Sequence, residues 1–335
     1  MPSAPLTRKQ VYRRRRIVVF GGLALVLATV FYLPITLLAP VQAAPPAVQA
    51  APLPQAAAPP VTLPGYGAAA VGAVGYPGLL ASSGSSDPLP IASITKVVTA
   101  LVVLSAKPLG PDDPGPGITF GEADLGFYDR LLSEGGVVAD VASGQVMTQR
   151  NVMEVMLLES ANNYAESLAS WAFGSLDAYV GAANAWLSEH GFAQTGVVDA
   201  TGMSPSNLSS VSDLVALGKL AIADPVVSAI VSRASIDIPG YGTVENRNEL
   251  LGVDGIDGIK TGTLDESGAC LLFAQDHVVA GETITLVGVV LGGPDHDTIN
   301  GAIRQLLVEV DAGFSPVTLT ADGQVFATYT TDWGD

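Results

Sequence analysis

The chain has 335 residues, 48% of them hydrophobic, and a formal net charge of −17. The first 16 residues carry six basic side chains and no acidic one, so residues 17–335 hold 9 Lys+Arg against 32 Asp+Glu, a charge of −23. A surface this acidic repels nucleic acid, which argues against a nucleic-acid partner, and the length allows a large core.

The first predicted element is a transmembrane helix at residues 17–39. This uncharged run is broken only by Pro34, and as a helix it would extend about 35 Å, enough to span a bilayer. The basic residues 1–16 are expected to stay in the cytoplasm as a short tail, which places the rest of the chain outside. A cleaved signal peptide is the alternative, because residues 41–43 are similar to a cleavage site; the protein would then be secreted.

Residues 40–64 are predicted to be a linker. They contain eight prolines, many alanines and no charged residue. Proline at this density disfavours helices and sheets, so we expect an extended, semi-rigid stalk between the membrane and a globular domain at residues 65–312.

The first half of the globular domain is rich in helix signals. Apolar patterns predict helices over residues 93–105 and 150–158. Capping patterns predict three more helices: residues 177–190 between Ser175 and Gly191, one that opens at Ser212-Asp213, and one that opens at Asp224-Pro225.

The second half contains β signals. Residues 269–275 and 283–291 are rich in β-forming residues and flank a turn at Gly281-Glu282, which predicts an antiparallel hairpin. A last helix is expected over residues 295–310. Residues 313–335 are predicted to form a short β segment, a hairpin with strands at 317–320 and 324–328. This order indicates an α+β domain.

Cysteine and histidine residues indicate no metal site or cofactor. Cys270 is the single cysteine, so it cannot form an intramolecular disulfide, and we expect it to be a buried apolar residue. The three histidines, His190, His277 and His296, do not have the spacing of metal ligands.

Ser93 and Lys96 form an S-x-x-K pattern at the start of a predicted helix. Residues three apart share a helix face, so the hydroxyl and the amine can meet. A lysine can deprotonate a serine if burial or nearby positive charge lowers its pKa, and the apolar residues that follow would bury it. By itself the pattern is more typical of an N-cap serine followed by a solvated lysine.

Two further patterns carry polar groups. Ser160 and Asn162 form S-x-N after a predicted helix, where both side chains can face one cleft. Lys260-Thr261-Gly262 precedes a predicted strand; the lysine offers a cation for a carboxylate, and the glycine leaves room for a substrate backbone. Each alone is also consistent with an ordinary polar turn.

Together the three patterns resemble the penicillin-binding proteins and serine β-lactamases. Residues 199–205 (DATGMSP) and 246–262 are similar to motifs of the low-molecular-mass D-alanyl-D-alanine carboxypeptidases, the peptidase S11 family. The resemblance covers residues 65–312. It implies a β-lactamase/transpeptidase-like α+β domain, in which an antiparallel sheet is flanked by helices and joined to a mostly helical subdomain.

The resemblance also implies an activity and its residues. Ser93 would attack the bond between two terminal D-alanines of a peptidoglycan stem peptide, and water would release the shortened peptide. The catalytic residues would be Ser93, Lys96 and Ser160, and the substrate-binding residues Asn162, Lys260, Thr261, Gly262 and Thr263. Backbone N–H groups of Ser93 and Thr263 would form the oxyanion hole. β-Lactams would bind Ser93 covalently, and no cofactor is needed.

Some residues depart from the family pattern. Leu264 stands where the family often has threonine, which keeps open an inactive, wall-associated protein of the same fold. Ala161 replaces the aspartate of class A β-lactamases and no E-x-x-L-N run is present, yet a serine β-lactamase or esterase remains an alternative.

Overall fold

The computed structural model describes residues 7–37, 46–48, 60–314 and 322–329. The chain divides into two compact units, Ala56–Pro316 and a unit made of Met1–Gln55 with Val317–Asp335. Most of the predicted linker lies outside the described residues.

The elements are numbered in chain order. The helices are α1 (Arg8–Leu37), α2 (Thr95–Ala106), α3 (Glu122–Ser133), α4 (Gln149–Leu158), α5 (Asn162–Phe173), α6 (Leu176–Glu189), α7 (Val211–Ala223), α8 (Pro225–Val231) and α9 (His296–Asp311), with a 3₁₀ turn (Ala92–Ile94) before α2. The strands are β1 (Ala47–Val48), β2 (Ala68–Ala73), β3 (Ala81–Gly84), β4 (Leu89–Pro90), β5 (Gly117–Thr119), β6 (Val146–Thr148), β7 (Leu208–Ser209), β8 (Ser235–Ile238), β9 (Gly242–Glu245), β10 (Ile256–Leu264), β11 (Gly268–Val279), β12 (Glu282–Gly293) and β13 (Ala327–Thr328).

A five-stranded antiparallel sheet organises the larger unit. Its strand order is β10-β11-β12-β2-β3, so β10 is an edge strand. Side chains along β12 alternate between two apolar clusters: Val287 and Val289 face the helical region, whereas Leu286 and Val290 face α9. This alternation follows from the two-residue period of a strand and gives the sheet a buried face on each side.

Helices cover both faces of the sheet. α7 packs on β12 and β2, and α9 packs on the opposite face against β11 and β12. The apolar cluster on the α7 side extends through α2, α4, α5, α6 and α8, which form the mostly helical region. The predicted α+β architecture is confirmed.

Helix caps explain where several helices begin. Ser175, as predicted, accepts a hydrogen bond from the Ala178 amide at 3.1 Å, and Asp224 caps α8 with Pro225 at its first position. The predicted start of α7 at Ser212-Asp213 is slightly late. Ser210 is its N-cap, because the Ser210 hydroxyl accepts a hydrogen bond from the Asp213 amide at 3.2 Å.

The predicted hairpin and last helix are confirmed. β11 and β12 pair through Val279 and Glu282, so Glu282 already belongs to the strand and the turn is Ala280-Gly281. α9 begins after Asp295, whose carboxylate accepts a hydrogen bond from the Thr298 amide at 2.7 Å. The sequence analysis did not predict α3, α5 or any of the strands β1 to β10.

The smaller unit contains the apolar N-terminal helix. α1 is exposed along its length, and its most apolar window has a mean hydropathy of 2.3, so it is long and apolar enough to cross a membrane; a signal sequence has the same properties. It begins at Arg8 instead of residue 17, because Arg, Lys and Gln are good helix formers.

The C-terminal strand pairs differently from the predicted hairpin. Ala327–Thr328 is antiparallel to Ala47–Val48. The other predicted strand of that hairpin, residues 317–320, lies outside the described residues.

Candidate active site

Ser93 and Lys96 lie together at the start of α2. Ser93 is in the 3₁₀ turn, directly after Ala92, whose φ of +46° is unusual for a residue with a side chain. The Lys96 side chain is fully buried, and its Nζ lies 3.0 Å from Ser93 Oγ. Nζ also contacts Asn162 Oδ1 and the Thr201 carbonyl oxygen, both at 2.6 Å. The amine is therefore held beside the hydroxyl by two other elements.

The surroundings of Lys96 favour its neutral form. Burial lowers its pKa well below the ordinary lysine value, and the charge of Lys260 lowers the pKa further, against the opposing effects of Asp199 and Glu166. A neutral amine can accept a proton, so Lys96 can act as a base toward Ser93.

Ser160 and Asn162 lie near Lys96, at the junction of α4 and α5. Ser160 lies between α4 and α5 with φ +64°, and it is nearly buried. Asn162 is the first residue of α5. Its backbone N–H donates a hydrogen bond to the Val137 carbonyl oxygen at 2.8 Å, and its side-chain oxygen accepts one from Lys96. The residues of the S-x-N pattern therefore lie beside those of the S-x-x-K pattern.

The K-T-G pattern lies on the edge strand β10. The buried Nζ of Lys260 donates to the Thr261 carbonyl oxygen at 3.2 Å. Burial and the nearby Arg247 lower the pKa of Lys260 to about 7. A Cβ at Gly262 would lie 3.0 Å from Ala92 Cβ and 3.2 Å from the Ser93 nitrogen, so glycine allows the strand to approach the serine turn.

The loop after Asp199 provides one of the hydrogen-bond acceptors of Lys96, the Thr201 carbonyl oxygen. The Asp199 carboxylate accepts hydrogen bonds from the backbone amides of Thr201, Gly202 and Ser204 and from the Asn207 side chain. Burial alone would raise its pKa, but these hydrogen bonds outweigh burial and lower it. The ordered loop presents the Thr201 carbonyl to Lys96.

These residues surround a cleft of about 860 Å³. Of the residues proposed from the sequence, Ser93, Ser160, Thr261, Gly262 and Thr263 line it, while the buried Lys96, Asn162 and Lys260 lie behind the lining. The structure therefore brings all of them to one place.

Arg247 and His296 are among the cleft residues that the sequence analysis did not propose. Arg247 lines the cleft from the segment after β9, within the 246–262 run that carried the resemblance. His296 also lines it, and its Nε2 lies 2.8 Å from Thr263 Oγ1 although 33 residues separate the two. In the sequence, only its place at the start of the helix predicted over residues 295–310 was visible.

The chain is similar to known peptidases. The family model described as D-alanyl-D-alanine carboxypeptidase, peptidase S11, matches residues 77–295. A D-alanyl-D-alanine endopeptidase of Pseudomonas aeruginosa is 32% identical over 191 residues, which cover 55% of this chain and 58% of that protein. D-alanyl-D-alanine carboxypeptidase DacA of Escherichia coli is 26% identical over 248 residues, covering 73% and 60%. The chain thus spans about three fifths of these relatives.

Solved structures share the fold. The Streptomyces K15 DD-transpeptidase superposes with a TM-score of 0.66 at 22% identity, covering 75% of this chain and 100% of that one. Penicillin-binding protein D2 from Listeria monocytogenes, in its cefotaxime-bound form, gives 0.63 at 24% identity, covering 75% and 99%. With the family model matching well over half of its length, the chain belongs to the D-alanyl-D-alanine carboxypeptidase family, peptidase S11.

Proposed function

We propose that this chain is a serine D-alanyl-D-alanine carboxypeptidase that removes the terminal D-alanine from peptidoglycan stem peptides. The observation that carries the proposal is the 3.0 Å distance between Lys96 Nζ and Ser93 Oγ, with the lysine fully buried. A serine needs such a base to become a nucleophile, and a lysine needs such burial to become that base.

Acylation begins when Lys96 accepts the Ser93 proton. Ser93 Oγ then bonds to the carbonyl carbon between the two D-alanines, and the backbone N–H groups of Ser93 and Thr263 stabilise the negative oxygen. Ser160 passes the proton to the nitrogen of the leaving D-alanine. The closeness of β10 to the serine turn supports this oxyanion hole, since the Cβ position of Gly262 is 3.2 Å from the Ser93 nitrogen.

The substrate backbone lies along the edge strand β10. An edge strand offers unpaired N–H and C=O groups, and a peptide can add to it as a further strand. The Asn162 side chain has its oxygen bound to Lys96, so its amide N–H₂ group is the part that donates to the substrate. Lys260 and Thr261 hold the terminal carboxylate.

Hydrolysis completes the cycle. Water attacks the acyl-enzyme carbonyl and Lys96 accepts a proton from that water. The bond to Ser93 Oγ then breaks, Lys96 returns the proton to Oγ, and the shortened peptide leaves. β-Lactams resemble the acyl donor and acylate the same serine, so the chain is also a penicillin-binding protein.

The reaction takes place outside the cytoplasm. α1, whose first nine residues hold the six basic side chains, anchors the chain with residues 1–16 in the cytoplasm, and the segment at 40–64 links it to the catalytic domain at 65–312. If α1 is instead a cleaved signal, the same domain is secreted.

A fluorescent penicillin and a stem pentapeptide test the proposal. We expect a long-lived covalent label on Ser93 and release of D-alanine from the pentapeptide. Ser93→Ala should abolish both while keeping the thermal unfolding temperature close to that of the wild type. Label that persists in Ser93→Ala would mean that another residue is the nucleophile.

The competing activities give different results in the same assays. The endopeptidase alternative, favoured by the 32% identity to the Pseudomonas aeruginosa protein, requires cleavage of a cross-linked dimer of stem peptides. A β-lactamase would lose its label within seconds while hydrolysing the antibiotic. An inactive scaffold would take no label.

A further inference from the structure

His296 is a cleft residue for which the mechanism above has no role. It is the first residue of α9, half-buried, and it lines the same cleft as Ser93. Its ring contacts Thr263, which follows Thr261 by two positions on β10. Residues two apart share a face of a strand, so Thr261 and Thr263 present their hydroxyls to the same side.

The His296–Thr263 pair has one N–H or O–H group that the contact between the two residues does not use. If the Thr263 hydroxyl donates to Nε2, a neutral ring carries its hydrogen on Nδ1. If Nε2–H donates to Thr263 Oγ1, the threonine hydroxyl hydrogen remains. With either tautomer, the pair can donate one further hydrogen bond, and an ionised carboxylate is an acceptor that matches it.

The Lys260 ammonium group lies beneath the surface of the cleft. It is buried and turned toward the Thr261 carbonyl, so it contributes charge from beneath the strand. Thr261, Thr263 and His296 line the cleft on this strand and helix, together with Gly262 and Asn300. A carboxylate has two oxygens that together accept several hydrogen bonds, which leaves room for donors beyond Thr261.

We propose that His296, together with Thr263, binds the C-terminal carboxylate of the substrate and so determines specificity for peptides with a free carboxylate. This inference rests on the proposed function, because it requires that stem peptides enter the cleft.

The charges around His296 decide how this recognition depends on pH. Burial lowers the pKa of His296 below its ordinary value; Glu249, Asp295 and Asp297 raise it, and Lys260 lowers it. Glu249 accepts a hydrogen bond from Asn300 at 3.4 Å, and Asp295 is the N-cap of α9. His296 is therefore neutral at pH 7. As the pH falls through its pKa, it gains a positive charge that strengthens carboxylate binding.

The test compares two substrates that differ only at the C-terminus. One is a stem pentapeptide with a free carboxylate and the other is its C-terminal primary amide. In His296→Gln we expect kcat/KM for the acid to fall about 10- to 100-fold, the range for a hydrogen bond to a charged group. Most of the loss should appear in KM, and the amide should change little. The ratio of the two values cancels any effect on Lys96.

His296→Arg separates binding from a structural role. A guanidinium is always charged and donates hydrogen bonds to carboxylates, so this variant should recover the preference for the acid. As the pH falls below about 6.5, the ordinary histidine pKa, we expect the wild type to show a rise in that preference, and His296→Arg should remove the part that His296 contributes. The part that Lys260 contributes around pH 7 should remain. His190→Gln is the matched control, because His190 is exposed at the end of α6, and it should leave the ratio unchanged.

Two results would overturn the inference while leaving the proposed function intact. One is an unchanged ratio in a folded His296→Gln that penicillin still labels. The other is a ratio that collapses in Arg247→Gln but not in His296→Gln, which would assign the carboxylate to Arg247. A wild-type protein that takes no label and releases no D-alanine would instead contradict the proposed function, and this inference with it.

Discussion

At the scale of single residues, the two site lysines are electrostatically coupled. Both are buried, and the positive charge of Lys260 is the second cause, after burial, of the lowered pKa of Lys96. Lys260 itself titrates at about 7, so its charge acts on Lys96 mainly below that pH. Burial therefore favours a neutral Lys96 near neutral pH, and the charge of Lys260 adds to this effect as the pH falls below about 7.

Removing the charge of Lys260 should move the pH dependence of acylation. Acylation slows as the pH falls through the pKa of Lys96, because a protonated amine cannot accept the Ser93 proton. In Lys260→Gln the pKa of Lys96 rises, so the midpoint should move to higher pH. The acylation rate with a fluorescent penicillin, measured across pH, checks this shift.

Lys107→Gln provides the control, because Lys107 lies over the Trp171 ring and does not line the cleft. Its midpoint should equal that of the wild type. If the Lys260→Gln midpoint also stays in place, Lys260 does not tune Lys96.

Gly202, in the loop after Asp199, lies very close to the turn that carries Ser93. Its φ is +84°, and a Cβ there would lie 1.9 Å from the Ala92 carbonyl oxygen. Gly191 has nearly the same φ, +81°, but nothing lies within 4 Å of its Cβ position. The two glycines therefore share a left-handed backbone conformation and differ in contact with the serine turn.

We expect alanine at these two positions to have different consequences. Gly191→Ala should lower the free energy of unfolding by about 1–2 kcal/mol, the cost of a left-handed alanine, and leave acylation unchanged. Gly202→Ala should also displace the turn that carries Ser93 and slow acylation by up to about 100-fold, as small misplacements of reacting groups do. Urea denaturation and penicillin labelling measure both. Equal acylation rates in the two variants would contradict this view of the turn.

At the scale of elements, the active site is where four segments meet. The serine turn and α2, the start of α5, the strand β10 and the Asp199 loop each contribute a contact to Lys96 or to the Ser93 turn. The Asp199 loop has no regular secondary structure over its length, so its order depends on the hydrogen bonds to one carboxylate.

Asp199→Asn should weaken both the fold and the reaction. Hydrogen bonds to a charged group are worth about 1.5–3 kcal/mol each, so we expect the free energy of unfolding to fall by about 2 kcal/mol or more. The Thr201 carbonyl should then hold Lys96 less firmly and acylation should slow. The lowered pKa of Asp199 means that its contribution is present above the unfolded-state value and is lost as the pH falls through the folded-state pKa.

Ser175→Ala separates the two effects in Asp199→Asn. It removes the N-cap of α6 and should cost about 1 kcal/mol without changing acylation. Urea denaturation at several pH values and labelling rates compare the variants. An Asp199→Asn protein that acylates at the wild-type rate would show that the loop has no part in placing Lys96.

At the scale of the whole molecule, the charge is unevenly divided. The basic residues of the N-terminus form the first turns of the apolar helix α1, whereas residues 17–335 carry a charge of −23. The basic end favours the cytoplasmic face of a membrane, and an acidic domain is repelled by anionic headgroups.

This division predicts how the chain fractionates. Expressed in bacteria, the full chain should sediment with membranes and resist a high-salt wash, because apolar burial and not surface charge holds it. The unit Ala56–Pro316, expressed alone, should stay in the supernatant and still take the penicillin label. N-terminal sequencing of the mature protein decides the alternative: a start near residue 44 or 45 would mean a cleaved signal and a secreted enzyme.

The elements that the sequence alone determined have local causes. Caps such as Ser175 and Asp295 use a side chain and an amide three residues later, and the hairpin from β11 to β12 needs only one turn between two β-rich runs. The three site patterns are likewise short, so local spacing is enough to single out Ser93, Lys96, Ser160, Asn162 and Lys260; their roles stay predictions.

Only the tertiary structure decided what depends on contacts between distant segments. The place of β2 beside β12 was not visible, because its alanines and glycine carry little β signal and the pairing spans most of the domain. The Lys96 contact with Thr201 and the His296 contact with Thr263 join residues 105 and 33 positions apart. Such distances close only when the sheet and its helices pack, so no local pattern of residues could specify them.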